Sequence, residues 1–232
     1  MNDRRRPPTV TSMTTIADDV TAPGAPGLWA RTFAAVYDPV LWAGERAGMR
    51  ARRRDLLALA RGRTLELGAG TGLNLPHYPG AVDELILAEP AAPMRKRLQK
   101  AVRRGGRAAT VLDAAAERLP MDEGSVDTVV STLVLCSVEQ PSAVLDEIKR
   151  VLAPGGQLLF LEHVRADSQR LAAWQDRLET PWRRFAEGCR CNRPTVALID
   201  AAGLSVRQRH DGIWRAMPAI VRPIVWGSAT RP

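Results

Sequence analysis

The chain has 232 residues, 45% apolar and 25% charged. Those values are ordinary for one globular domain and exclude a collagen-like repeat or a disordered chain. Lys and Arg outnumber Asp and Glu by 33 to 25, for a net charge of +8, which raises nucleic acid or anionic lipid as partners.

That charge is weak testimony, because every base except Lys96, Lys100 and Lys149 is an arginine, set among many alanines. A GC-rich genome produces the same bias. Three cysteines are too few for a disulfide scaffold, and a reduced, cytoplasmic setting is expected. No apolar run reaches the ~18 residues of a membrane span.

Residues 1–27 are rich in Thr, Pro and Gly without periodicity and lack the apolar core of a signal peptide, so a mobile tail is expected there. From Leu28 the spacing becomes helical. Leu28, Phe33, Val36 and Tyr37 share one predicted face, which Leu41 and Trp42 extend to Gly44. A basic helix is predicted over Glu45 to Ala60, carrying Arg46, Arg50, Arg52, Arg53 and Arg54, with Gly62 as its stop. Residues 28–62 read as a helical cap and 63–232 as the core.

In the core, strand and helix alternate. Strands are expected at Thr64 to Leu67, Glu84 to Ala88, Ala108 to Leu112, Val126 to Val134 and Gln157 to Val164. Helices are expected at Ala91 to Arg104 and Ser142 to Leu152, and Pro154-Gly155-Gly156 forms the turn into the fifth strand. This alternation predicts a parallel sheet with helices on both faces. Helices over Ser168 to Phe185 and Pro194 to Ala202 break the rhythm. Two strands, Leu204 to His210 and Ile220 to Gly227, then close an edge as an antiparallel hairpin.

The sharpest local signal is Glu66-Leu67-Gly68-Ala69-Gly70-Thr71-Gly72. Glycines after a buried strand allow a tight turn and let a ligand approach the backbone without meeting a Cβ. A dinucleotide fingerprint would place its third glycine at position 73, which is Leu73, and no Gly-Lys-Ser/Thr follows to make a phosphate loop. With Glu66 just before it, the loop suits a cationic ligand lacking phosphate. Glu89, followed by Pro90, ends the second strand, where a carboxylate can accept both hydroxyls of a ribose.

Together with Glu117-Arg118-Leu119-Pro120, Ser125-Val126-Asp127 and Leu152-Ala153-Pro154-Gly155-Gly156, these residues resemble the class I S-adenosylmethionine-dependent methyltransferases. The resemblance implies a Rossmann-like seven-stranded α/β fold and S-adenosylmethionine as cofactor. It implies that Glu66 lies near the methionine end above Gly68, Ala69, Gly70, Thr71 and Gly72, and that Glu89 holds the ribose. Ala116 and Glu117 would then lie near the adenine, and Thr132 and Leu133 would face the transferable methyl. One departure stands out, since Ala115 occupies the place of an acid that would bond the adenine amino group, and Asp113 is two residues early for that role.

The acceptor is less legible. After strand four the chain reads Ser131-Thr132-Leu133-Val134, not the Asn/Asp-Pro-Pro-Tyr/Phe of base-amino methyltransferases, which argues against nucleic acid. No His and carboxylate cluster has metal-ligand spacing, and Cys189-x-Cys191 has no second pair, so packing is expected for those cysteines and for Cys136. Thr132 to Val138, Leu161-Glu162-His163-Val164 and Glu187-Gly188-Cys189 are similar to the methyltransferase-like 7 thiol S-methyltransferases. The same stretch resembles bacterial phospholipid N-methyltransferases, including Val36-Tyr37-Asp38.

A small or lipophilic acceptor, most simply a thiol, is therefore expected, with a phospholipid amine as the rival and, in a different class, a basic nucleic-acid binder or a cofactor-binding protein without catalysis. Under that rival, Arg46 to Arg54 would rest on the membrane surface without a span. His163, at the end of strand five, is the candidate base and equally a candidate structural histidine. Tyr37 either covers the methyl-transfer site or packs the cap. Asp38 reads as a turn residue, and His210-Asp211 as a weaker site. Trp174, Trp182 and Trp214 are candidate pocket walls.

Overall fold

The computed structural model describes residues 27–232. The tail expected over residues 1–27 lies outside the described residues except for Gly27. Two cap helices come first, α1 (Leu28–Gly44) and α2 (Arg50–Leu57), joined by a wide helical turn over Glu45–Met49. The joint is a kink at Gly48, whose φ of 126° no L side chain adopts without strain. The basic helix predicted over residues 45–60 is thus shorter, and its start is the kink itself.

Seven strands follow: β1 (Gly62–Leu67), β2 (Val82–Ala88), β3 (Thr110–Leu112), β4 (Val126–Thr132), β5 (Leu152–His163), β6 (Ser205–Ile213) and β7 (Pro223–Thr230). They form one sheet in the order β3-β2-β1-β4-β5-β7-β6. Strands β1 to β5 pair in parallel, and β7 runs antiparallel to both of its neighbours. This is the class I Rossmann-like methyltransferase topology, with the hairpin at the edge as expected.

Successive residues of the inner strands serve two cores. Leu159 and Leu161 pack with Leu57, Leu87 and Trp214 on one face of the sheet, and Leu158 and Phe160 pack with Leu65, Val129 and Ile148 on the other. Helices α3 (Ala92–Gly105) and α4 (Pro141–Val151) supply parallel crossovers, while α5 (Gln169–Phe185) and α6 (Thr195–Ala201) lead into the hairpin. The sequence places Pro154-Gly155-Gly156 before β5. Pairing in fact begins at Leu152, and the register jumps across this segment, so the three residues form a bulge inside the strand.

Chain order reverses between β1 and β4. At such a switch point the crossovers diverge and leave a crevice outside the carboxyl ends of the strands. The cap lies beside that crevice on part of the face expected of it, since Leu41 is buried and Tyr37 packs against the core. Helix α1 buries Ala34, Leu41 and Gly44, while Leu28, Val36 and Trp42 are exposed. The indole of Trp214 and the sulfur of Met217 occupy the space a Cβ at Gly44 would need. The smallest residue on the helix therefore decides which face docks.

Candidate active site

The loop from β1 turns on three residues in the left-handed region, Gly68, Gly70 and Gly72, with φ of 52°, 58° and 92°. They serve two purposes. A Cβ at Gly68 would strike Val134, and one at Gly72 would strike Leu75 and Leu98, so those two glycines permit close packing. At Gly70 the nearest neighbour of such a Cβ would be the Gly68 carbonyl at 3.8 Å, and the space above stays open. Ala69 and Thr71 complete the loop, and the Thr71 hydroxyl donates to Asp38 Oδ1 at 2.6 Å. Asp38, expected to be a turn residue, ties the cap to the loop.

Glu89 clamps the loop from the neighbouring strand. Its carboxylate is buried and accepts the N–H groups of Gly70 and Ala91, each at 2.8 Å. Burial raises its pKa, and the two backbone bonds and Arg95 work against that rise. A carboxylate offers about four lone-pair sites, so acceptor capacity remains beyond these two donors. Arg95 stitches the strand tips together, donating to the carbonyls of Glu89 and Pro90 at 2.7 and 2.8 Å and to Asp113 at 2.6 Å. Asp113 is therefore held by Arg95, Ala114 and Ala116 are buried beside it, and Ala115 and Glu117 lie exposed on the rim.

Glu66 is only 2% exposed. Its Oε1 accepts from Asn74 Nδ2 at 2.9 Å and its Oε2 from the Tyr78 hydroxyl at 2.7 Å. Burial drives its pKa up to about 7, against the pull of those two bonds and of Arg53. Asn74 also reaches Thr132 Oγ1 at 2.9 Å and accepts from Arg53 Nη1 at 3.0 Å, and Arg53 in turn pairs with Glu45 at 3.0 Å. Arg53 is 3% exposed. Read from sequence as one of a row of exposed bases, it is instead the link from α2 to the floor of the crevice. Asn74, Tyr78 and Arg53 were not singled out as site residues; the one signal was a polar Asn in an otherwise apolar Leu-Asn-Leu run.

Beyond β4, Leu133 has a φ of 62°, a strained conformation for a branched side chain that costs on the order of 1–3 kcal/mol. Glu162 holds it there. This carboxylate is fully buried and accepts the Ser131 hydroxyl at 2.7 Å and the N–H groups of Val134, Leu135 and Cys136 at 3.1 Å each. Consecutive N–H groups converging on one anion form a backbone nest, and the Leu133 N–H donates to the Leu161 carbonyl at 2.8 Å.

Tyr37 lines both the crevice around Glu66 and an adjoining apolar cavity of about 110 Å³ between α1 and α5. Leu133, His163, Trp182 and Trp214 also line the cavity, with Cys136 and Cys189. Tyr37 is pushed up to about 12 by burial, so its hydroxyl keeps its proton. His163 stacks on Trp214 with ring centroids 5.5 Å apart, and its Nδ1 has no hydrogen-bond partner among the described residues. Burial drives the imidazole down to about 4, so it is neutral at pH 7. Trp174, by contrast, is exposed beneath Arg177, and His210 and Asp211 are engaged with Trp226 and Arg209 away from this cavity.

A family model described as a methyltransferase domain matches residues 65–160. The thiol S-methyltransferase TMT1B of Homo sapiens is 36% identical over 197 residues, covering 79% of this chain and 80% of that protein. A phosphatidylethanolamine N-methyltransferase of Cereibacter sphaeroides is 32% identical over 115 residues, 48% of this chain and 56% of that one. Among solved structures, a methyltransferase of Thermotoga maritima described as a possible histamine N-methyltransferase aligns with a TM-score of 0.66. It has 21% identity and covers 88% of this chain and 98% of that chain.

Gly70→Arg is expected to fill the open space above the loop and weaken binding of the demethylated cofactor at least tenfold, measured by calorimetry. An unchanged affinity in a folded variant would place the ligand elsewhere.

Proposed function

We propose that this chain, which belongs to the class I S-adenosylmethionine-dependent methyltransferase family, transfers the methyl group to the sulfur of a small, lipophilic thiol. The observation that carries the acceptor is the charge of the cavity. Among the described residues that line it, none is an Asp, Glu, Lys or Arg, and the one titratable nitrogen base among them, His163, is neutral. A phospholipid head group would bring a phosphate and an ammonium into a wall with no counter-charge, at a cost of several kcal/mol per ion. A neutral apolar thiol carries no such penalty. The likeness to the human thiol S-methyltransferase supports the same choice.

The residues of the crevice fit the cofactor. Gly70 leaves room where any side chain would intrude, and Glu89 has acceptor capacity left for two hydroxyls. Bound S-adenosylmethionine supplies a methyl group on a positively charged sulfur, open to in-line displacement. The chain's task is then to align the nucleophile and exclude water. Tyr37, which lines both compartments, and Leu133, held by the Glu162 nest, stand at their junction.

A thiol has a pKa of ~8.5. An imidazole at about 4 cannot deprotonate it in the ground state. His163 Nδ1 instead accepts a hydrogen bond from the S–H and orients a sulfur lone pair. It takes the proton only as the S–C bond forms and the S–H becomes strongly acidic.

Two measurements test this reading. Release of S-adenosylhomocysteine should be seen with lipophilic thiols and no vesicles, and be at least tenfold slower with phosphatidylethanolamine vesicles; turnover on vesicles alone would move the acceptor to the amine. For the role of His163, kcat/KM on a thiol should stay level from about pH 5.5 to 7.5, because its neutral form prevails above about pH 4. In His163→Ala it should rise with pH as thiolate accumulates. A thiolate-like rise in the unaltered enzyme would remove His163 from proton transfer.

A further inference from the structure

We propose that Cys189 and Cys136 form a redox-active dithiol at which a small apolar disulfide is reduced while the two cysteines become joined. The sulfurs are 3.9 Å apart although the residues stand 53 positions apart in the chain. Cys136 lies in the loop after β4 and Cys189 in the segment after α5. The two segments are stitched together where the sulfurs meet, since the Arg190 N–H donates to the Cys136 carbonyl at 2.7 Å and the Cys136 N–H is fixed on Glu162. Both residues line the apolar cavity.

The pair is asymmetric in the way an exchange reaction requires. Both residues are buried, Cys189 less deeply, at 6% exposure against 0% for Cys136. Among the described residues the Trp182 indole N–H has no oxygen or nitrogen partner, and it lies against Cys189. The contact with Cys136 lowers the Cys189 thiol, burial opposes this and Trp182 adds to it, and Cys136 is raised by the same contact. Thiolate character in the outer sulfur makes it the attacking group, and the deeper one resolves. Cys191 is excluded by position, because it does not line the cavity and burial pushes it up to about 12.

The ligand class follows from the wall. A cavity without charged residues that suits a lipophilic thiol suits the corresponding disulfide, R–S–S–R. The Cys189 thiolate attacks one sulfur, the R–S–S–R bond breaks, and the departing thiolate takes up the proton Cys189 lost, leaving as RSH. Cys136 then attacks the Cys189 sulfur of the mixed disulfide, the second thiolate RS− departs, and it takes up the Cys136 proton to leave as RSH. Two electrons move from the protein to the ligand. One external disulfide and two protein thiols become one protein disulfide and two external thiols. The joined sulfurs, drawn in to ~2.05 Å, then block acceptor binding until a dithiol reductant restores them. The choice of disulfide and this consequence for turnover rest on the acceptor reading above, and the pairing of the two sulfurs does not.

The test uses the full-length reduced protein and one equivalent of dithiodipyridine, without air. Two equivalents of thiopyridone should be released per chain, with no pyridylthio adduct and a peptide map joining Cys136 to Cys189. Cys136→Ser should release one equivalent and retain the adduct on Cys189, and Cys191→Ser should behave as the unaltered chain. Cross-linked protein should lose thiol methylation at least tenfold, keep its affinity for S-adenosylhomocysteine, and recover with dithiothreitol. Stable adducts on the unaltered chain, or a link through Cys191, would overturn the proposal. Clean cross-linking in a protein that methylates no thiol would uphold the dithiol and sink the acceptor reading instead.

Discussion

A carboxylate taken out of water must be surrounded by donors, and three such groups organise the working edge of this sheet. Glu66 lies at the end of β1, Glu89 just beyond β2 and Glu162 at the end of β5, all of them buried. Leaving any one unpaired would cost several kcal/mol, so the chain around each folds to supply N–H and O–H groups. Glu89 draws in the glycine loop through Gly70, Glu162 gathers the backbone after β4, and Glu66 collects Asn74 and Tyr78. The crevice and the cavity are the spaces these arrangements leave.

The cap is part of the same economy of donors. Arg53 reaches from α2 to Asn74, and Asp38 from α1 accepts from Thr71, so both cap helices are bonded to residues around the cofactor crevice. Tyr37 and Leu41 of α1 also line the apolar cavity. One short segment thus completes the cofactor crevice and walls the neighbouring cavity. A methyl transfer that must exclude water gains from this construction, because cofactor and acceptor compartments share walls built from one set of hydrogen bonds.

Much of this was legible before any coordinates. The strand and helix alternation is set by local periodicity, and the parallel sheet with its antiparallel edge follows from it. Gly68, Gly70 and Gly72 show in sequence because a tight turn after a buried strand leaves a local mark. The partners of the carboxylates leave none. Arg53 reads like its exposed neighbours, and only contact with Asn74, 21 residues on, makes it structural. The docking face of α1 is only half legible, Tyr37 and Leu41 being on it and Leu28, Val36 and Trp42 not, because that helix is apolar on more than one side and Gly44 packs against Trp214. Cys136 and Cys189 each read as ordinary packing residues, and their meeting is a product of the tertiary fold.

The central claim is that an uncharged cavity beside the cofactor crevice receives a thiol. A crystal structure of the protein with S-adenosylhomocysteine and a lipophilic thiol tests it most directly. The account predicts the acceptor sulfur in the cavity between Tyr37, Leu133 and His163, within hydrogen-bonding distance of His163 Nδ1. A thiol seated elsewhere, with that cavity filled by the protein's own side chains, would contradict it.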